Sequence, residues 1–582
     1  MASESCTRGG AFLVEDPAPS DVFTPEDFTS EQRQFARTAR EFVEKEVLPH
    51  SDRIEAKDFA LSKDLMLRAG ELGLLLADIP EEYGGLELDK PTSALIYESL
   101  AGQTSFQTLC GVQTSIGSLP IVYYGTPEQR QRYLPPLSTG EWVGCYCLTE
   151  PSAGSDALSC RTRAVLSDDG THYVLNGTKQ FITNAGVADV FTVFAKVDGK
   201  DFTAFIVERS TPGLSTGPEE HKMGLRGSST TTVILQDAEV PAGNVLGEIG
   251  KGHKIAFNIL NLGRLRLSVH STGLCKRALE ASLASCLERT QFGRRLADFG
   301  AIREKLAEMV VRTYVVESAA YRTLGLIESH IEASGAPRAQ AALAAGQEFQ
   351  AECALVKVLG TEILDAVVDE AVQCFGGYGY CSDYAVEHFY RDARVNRIYE
   401  GTNEINRIFA AAALSRSAPA GDPALAGGLQ HGAPASPSAG EDLFGSETGI
   451  VRSLKRVSLL AMDAARRKHG GALPEQQALL TRISDLLILT YGAESALLRA
   501  RKDAERRGPE RIDVPAAAAR VACEEAARHA ESVGRELAVA LGSAGQDLRG
   551  ALGLLASRSS ADTMALREHI AATIVERERL VL

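Results

Sequence analysis

The sequence predicts a mainly α-helical protein with a small β-domain at its centre and an extra helical domain at its C-terminal end. Three observations predict it. Apolar residues at helical spacing fill residues 25–143 and return after Gly252. Between these regions lie short β-branched and aromatic runs divided by turn residues. A stretch rich in Pro and Gly, 417–445, then separates this body from a last helical region, 446–582.

The N-terminal helical domain, 25–143, opens on Thr29-Ser30-Glu31, a capping sequence ahead of the apolar positions Phe35, Phe42 and Val43. Further helices fit Leu61–Leu75, Lys90–Ala101 and Thr126–Leu137, with a loop at Pro80-Glu81-Glu82-Tyr83-Gly84-Gly85. In the β-domain, 144–253, strands are expected at Gly144–Thr149, Thr171–Leu175, Val190–Val197, Phe202–Val207 and Thr230–Leu235. Asp168-Asp169-Gly170, Asn176-Gly177 and Asp198-Gly199 read as the turns between them, so a small antiparallel barrel or sandwich is expected. The region 254–416 reads as a bundle of four helices. The first reaches about Thr290 and the second begins near Ile302. The third spans 341–374 and the fourth 384–399.

Composition narrows the function classes. With 582 residues, two to four domains are expected. A net charge of −15 argues against general nucleic-acid binding, which needs a basic face. The last helical region is nevertheless slightly basic, with 21 Lys and Arg against 18 Asp and Glu from residue 446 onward. Eleven cysteines lie scattered with no disulfide framework, and no zinc-type spacing is present, so free thiols and no metal are expected. Met1 to Asp16 resembles neither a secretory signal nor an Arg-rich transit peptide, and no run of 18 apolar residues occurs. A cytoplasmic protein of bacterial type is the expectation.

Two segments carry the chemistry. Glu400 follows the amphipathic run Tyr384 to Tyr399, and Gly401 is a natural stop for that helix. About twenty residues earlier stands the glycine cluster Gln373-Cys374-Phe375-Gly376-Gly377-Tyr378-Gly379. Glycines allow a backbone to approach a ligand closely. Together they suggest a bound cofactor with a base beside it. The cluster is not GxGxxG after a strand, which argues against a Rossmann dinucleotide site.

The β-domain opens with Tyr146-Cys147-Leu148-Thr149-Glu150-Pro151-Ser152-Ala153-Gly154-Ser155-Asp156. This resembles the first signature of the acyl-CoA dehydrogenase family. Residues 373–392 resemble the second, departing from it at His388, where Lys or Arg is usual. The Glu400-Gly401-Thr402 corner completes the set, and the resemblance covers about residues 25 to 416. The tail resembles the extension of the very-long-chain members. The implied fold is an α-helical domain, a β-barrel and a four-helix bundle, plus an extra C-terminal helical domain. The implied activity is FAD-dependent α,β-dehydrogenation of a long- or very-long-chain fatty acyl-CoA to the trans-2-enoyl-CoA in β-oxidation. Electrons would pass to electron-transfer flavoprotein.

The resemblance also implies roles. Glu400 matches the base that takes the α-proton. Some relatives carry that base beside the arginine matched by Arg264, where this chain has Gly263. Tyr146, Leu148 and Thr149 match the strand along the flavin, and Thr183 the hydroxyl beside its reactive nitrogen. Phe181 stands where many members have Trp. Arg289, Gln291, Phe292, Gln373 and Gly377 match residues reaching the FAD across a homodimer. Thr402 and Glu404 match contacts near the pyrophosphate, Glu404 standing where Gln is common. Ser155 borders both FAD and CoA. Asn261, Arg264 and Gly401 fall on the substrate side.

Two other readings stand beside this one: an acyl-CoA oxidase that returns electrons to O₂, and an assembly or scaffold protein that keeps the fold. In the tail, Arg452, Lys455, Arg456, Arg466, Arg467 and Lys468 flank Leu454, Val457 and Leu460. They read either as a helix face packed on the body or a second subunit, or as a peripheral contact with anionic lipid.

Overall fold

The computed structural model describes residues 7–417 and 443–582, so most of the expected 417–445 linker lies outside the described residues. The chain divides into two compact units. One comprises Thr29–Gly263 and Ser334–Gln347; the other comprises Met1–Phe28, Arg264–Ala333 and Glu348–Leu582.

The first unit begins with helices α1 (Ser30–Phe42), α2 (Phe59–Glu71), α3 (Lys90–Ser99), α4 (Thr104–Gln113), α5 (Leu119–Tyr124) and α6 (Pro127–Ser138). Thr29 caps α1 by accepting from the Gln32 N–H, and the Gln32 side chain accepts from the Thr29 N–H in return. The sequence reading misses α4 and α5. Both are buried nearly all round, so neither shows the polar face on which periodicity depends.

Strands β1 (Gly144–Cys147), β2 (Arg163–Leu166), β3 (His172–Thr183), β4 (Val190–Val197), β5 (Asp201–Glu208), β6 (Leu214–Thr216), β7 (Thr230–Pro241) and β8 (Val245–Leu246) form one sheet, in the order β6-β7-β3-β2-β4-β5-β8 with β1 also on β4. It is not purely antiparallel as expected. Both β1 and β2 run parallel to β4, β1 along Val190–Val193 and β2 along Lys196 and Val197. The reason is the long connection from β1 to β2, which lets the chain resume in the same direction instead of reversing in a tight hairpin. The signature segment 148–162 is thus an excursion from one edge of β4. Asn176-Gly177 is not a turn either. It lies inside β3 at a register shift, where Asn176 and Asp237 exchange hydrogen bonds of 2.9 Å. Gly177 is required there because a Cβ would lie 2.3 Å from the Thr162 hydroxyl.

The bundle opens with α7 (Gly252–Glu288) and α8 (Gly300–Ser334). The expected third helix is two, α9 (Arg338–Glu348) and α10 (Gln350–Phe375), broken at the buried Phe349. The apolar pattern runs unchanged through that break, so periodicity cannot reveal it. The expected helix 384–399 is shorter: α11 (Ala385–Ala393) ends in a 3-10 turn, Arg394–Arg397. Helix α12 (Asn403–Ser417) supplies the long packing partner of α10 instead. The tail adds α13 (Gly445–His469), α14 (Gln477–Arg507), α15 (Asp513–Leu541), α16 (Gln546–Arg558) and α17 (Thr563–Arg577).

Ion pairs bind the N-terminal segment, the bundle and the tail within the second unit. Arg499 of α14 sits buried between Glu26 and Glu317, each 2.7 Å away. Lys502 pairs with Asp27 at 2.7 Å. Of the basic tail residues, Lys455 is buried and pairs with Asp16 and Glu494, Arg452 pairs with Asp16, and Lys468 donates to the Ala540 carbonyl. These partners favour packing over lipid contact for that face. Among the described residues no helix is long and apolar enough to cross a membrane. The ten described cysteines are free, nine of them buried.

Burial pushes the Glu317 carboxyl up, but Lys276 and Arg499 outweigh it and hold it at about 2. Its folded value lies below its unfolded one, so its contribution is present above about pH 4.5 and is lost as the pH falls toward 2. Arg499→Met removes the buried cation shared by Glu26 and Glu317, leaving Glu317 with Lys276, and should cost about 3–5 kcal/mol in denaturant unfolding. An unchanged midpoint would show that this cluster does not support the fold.

Candidate active site

Glu400 lies in a tight turn between the 3-10 turn and α12, seven residues beyond the end of α11 rather than at a helix exit. Its backbone is left-handed, at φ 57°, and Gly401 follows at φ 78°. A non-glycine residue persists in that region only when its surroundings over-determine it. Here they do. The Asn406 side-chain amide donates to the carbonyls of Glu400 (3.3 Å), Gly401 (2.7 Å) and Thr402 (3.1 Å). Lys357 of α10 donates to the Gly401 carbonyl at 2.9 Å, and Arg264 Nε approaches the Glu400 carbonyl at 3.5 Å. Thr402 caps α12 by accepting from the Ile405 N–H.

The Glu400 residue is partly exposed, but its Oε2 is buried without a hydrogen-bond partner. Burial raises the carboxyl to about 7, against the opposing pull of Arg264 and Lys357. Arg264 is itself buried, stacked 5.0 Å from the centre of the Phe409 ring, and burial lowers its affinity for the proton. The structure thus brings together Glu400, Gly401, Thr402 and Arg264. Glu404 lies exposed on the first turn of α12. Lys357 and Asn406 also belong to this group, and sequence reasoning does not find them.

In the first unit, Tyr146 and Leu148 are buried and Thr149 partly so. The Thr149 carbonyl accepts from the Gln180 N–H, which docks the end of β1 beside the β3 bulge between Lys179 and Ile182. That bulge puts Phe181 at φ 58° with its side chain 58% exposed, beside Thr183. Bulges re-aim side chains in this way at functional sites. Just beyond Thr149, Glu150 is buried and paired with the fully buried Lys179 at 2.7 Å. Burial pushes this carboxyl up, but Lys179 and the N–H donors of Arg161 and Thr162 prevail and hold it below the usual range. This pair pins the signature segment to β3. Ser155 stands exposed on the same segment, and Asn261 is buried in α7.

In the second unit, Arg289 donates to the Phe375 carbonyl at 2.7 Å and lies 4.9 Å from the centre of the Tyr378 ring. It thereby ties the end of α7 to the glycine turn that carries Gly377 and follows Gln373 in the last turn of α10, both residues exposed. Thr290-Gln291 pairs with Arg294-Arg295 in a small hairpin, whose tip residue Phe292 is 94% exposed at φ 51°. Tyr380 of the glycine turn is likewise exposed. His388 lies on α11, with its Nε2 3.2 Å from the Ser382 carbonyl.

Comparison with known proteins gives a consistent result. Models of the acyl-CoA dehydrogenase N-terminal, middle and C-terminal domains match residues 29–141, 145–238 and 250–415, and a further C-terminal domain model matches 453–556. The chain is 45% identical to a Bacillus subtilis protein named "Probable acyl-CoA dehydrogenase", covering 98% of each. It is 36% identical to the human mitochondrial very long-chain specific acyl-CoA dehydrogenase, over 75% of this chain and 70% of that one. A Bacillus anthracis acyl-CoA dehydrogenase solved as a complex with FAD superposes with a TM-score of 0.95 at 44% identity, covering 99% of this chain and all of the other. Butyryl-CoA dehydrogenase from Megasphaera elsdenii superposes at a TM-score of 0.60 and 36% identity, over 67% of this chain and 98% of that one. With the same succession of helical, β and helical regions and a matched C-terminal extension, this chain belongs to the acyl-CoA dehydrogenase family.

Proposed function

We propose that this protein converts long- or very-long-chain fatty acyl-CoA into the trans-2-enoyl-CoA, with Glu400 as the base, and passes the electrons to electron-transfer flavoprotein. One observation carries the reading. Glu400 offers a buried, unpartnered carboxylate oxygen whose proton affinity lies near neutral pH, which is what a base for a weakly acidic carbon acid needs.

The residues fit FAD as cofactor. Phe181 projects from its bulge as an exposed aromatic face. The Thr149 and Thr183 hydroxyls make no hydrogen bond among the described residues. Gly377 would place a Cβ in open space. Tyr146, Leu148, Thr149, Phe181 and Thr183 would hold the ring system; Ser155, Arg289, Gln291, Phe292, Gln373, Gly377, Thr402 and Glu404 would hold the rest. When bound, FAD supplies an acceptor for the hydride that leaves the β-carbon.

The chain's own residues do the remainder. The Glu400 carboxylate takes the α-proton and becomes neutral, while negative charge develops on the thioester oxygen. The Glu400 N–H makes no hydrogen bond among the described residues, and is free to donate to that oxygen. Arg264 supplies positive charge beside the carboxylate. Arg264, Asn261, Ser155 and Gly401 are assigned to the CoA thioester. Gly263, buried in α7, and the likeness to a very long-chain relative support a long acyl chain. The exposed Phe292, Tyr378 and Tyr380 support a homodimer, which sedimentation should reveal as twice the chain mass.

The deciding measurement is anaerobic bleaching of the purified flavoprotein by acyl-CoAs of increasing chain length. Long chains should bleach it fastest. Glu400→Gln should keep bound flavin and slow bleaching by about 10²–10⁴-fold; wild-type rates in that variant would remove Glu400 as the base. Since Glu400 must be deprotonated to act, the rate should fall about tenfold per pH unit below about 7. A profile flat from pH 5 to 8 would contradict this. Oxygen uptake with peroxide release, in place of transfer to electron-transfer flavoprotein, would reassign the acceptor.

A further inference from the structure

We propose that Lys357 is a positioning residue for the proposed base: its ammonium anchors the turn that presents Glu400 and keeps that carboxylate available for proton abstraction. The proposal rests on the dehydrogenase reading of the same site.

The geometry is built rather than incidental. Lys357 has no solvent exposure and lies on the buried face of α10. It donates to the Gly401 carbonyl at 2.9 Å and to Asn403 Oδ1 at 2.8 Å. The first bond grips the left-handed turn one residue past Glu400. The second bond is fixed in its turn. The Asn403 amide donates to Thr361 and Glu362, both at 3.1 Å. Glu362 takes a two-pronged contact from Arg407, at 2.6 and 2.7 Å, and Arg407 reaches on to Asp485 of α14 at 2.7 Å. A chain of charged and amide groups thus runs from the tail domain to the turn. Burying an ammonium is costly unless it is well bonded, so a buried lysine spent on a single backbone turn points to the turn itself.

Four charged side chains, the lysine among them, surround the turn. Arg264 faces it from α7, Lys357 and Glu362 from α10, and Glu404 from α12. Among these only Arg264 and Lys357 favour the ionised carboxylate of Glu400. Burial lowers Lys357 to about 7 against the pull of Glu400, so its charge and that of the carboxylate change over the same pH range.

The test compares Lys357→Gln, which can still donate a hydrogen bond but carries no charge, with Lys357→Arg, which keeps the charge. Both are read by anaerobic bleaching with palmitoyl-CoA between pH 5.5 and 9, beside the wild type. In Lys357→Gln the acid limb should move up by about one pH unit; in Lys357→Arg it should stay within a few tenths of the wild-type position. A Lys357→Gln profile that superimposes on the wild type overturns the proposal, since a merely structural lysine would lower flavin content or the limiting rate without moving the limb. If neither variant retains flavin, Asn403→Ala is read instead. There the lysine remains but loses one of its two acceptors. An acid limb displaced by about half a pH unit or more at normal flavin content supports the proposal; a limb that superimposes on the wild type overturns it. Wild-type protein that palmitoyl-CoA and other acyl-CoAs fail to bleach would sink the dehydrogenase reading, a result distinct from failure of the lysine variants.

Discussion

The site depends on keeping one carboxyl group poorly solvated in a backbone shape that side chains disfavour. Left alone, Glu400 would ionise at ordinary carboxylate values and relax its φ. Three side chains prevent that relaxation: Asn406 gathers three successive carbonyls, while Lys357 and Arg264 each hold one. Two of the three are cations, so the groups that enforce the shape also limit how far burial can raise the carboxyl. The balance leaves Glu400 at about 7, between an inert neutral acid and an ordinary solvated carboxylate.

Strain marks other residues of interest. Phe181, Phe292 and Glu400 are all non-glycine residues with positive φ. Each is held by a different device: a bulge in β3, the tip of a two-stranded hairpin and a side-chain amide clamp. Residues kept in costly conformations are common where a side chain must be aimed at something other than its own core. The two aromatic residues stay largely exposed in those positions, Phe292 meeting only the edge of Phe299 among the described rings, which agrees with the flavin roles proposed for them.

The helix–sheet–helix order and the capped start of α1 are legible in sequence because they rest on local rules: periodicity, β-branching and capping chemistry. Errors arise where local chemistry supports two structures. Asn176-Gly177 has the composition of a hairpin turn, yet close approach of Thr162 makes it a bulge. The break at Phe349 interrupts no apolar period. Glu400 stands out in sequence because a glycine and a helix start follow it. Lys357 does not, because it lies in an apolar helix and its partners are brought to it only by folding. The same holds for Glu150 and Lys179, whose 29-residue separation conceals a buried pair.

The ion pairs of residues 16–27 carry a further consequence. Asp16, Glu26 and Asp27 find their cations at Lys455, Arg499 and Lys502, more than 430 residues later in the chain. A ribosome must therefore release almost the whole polypeptide before these early carboxylates can be neutralised. Until then the N-terminal segment remains a hydrated, anionic tether, and the second unit cannot complete its assembly on the nascent chain. Contacts of such long sequence separation carry a large loop-closure entropy and form slowly. Docking of the first residues onto the last helices is accordingly a late event in biogenesis, after the intervening sheet has had time to form on its own.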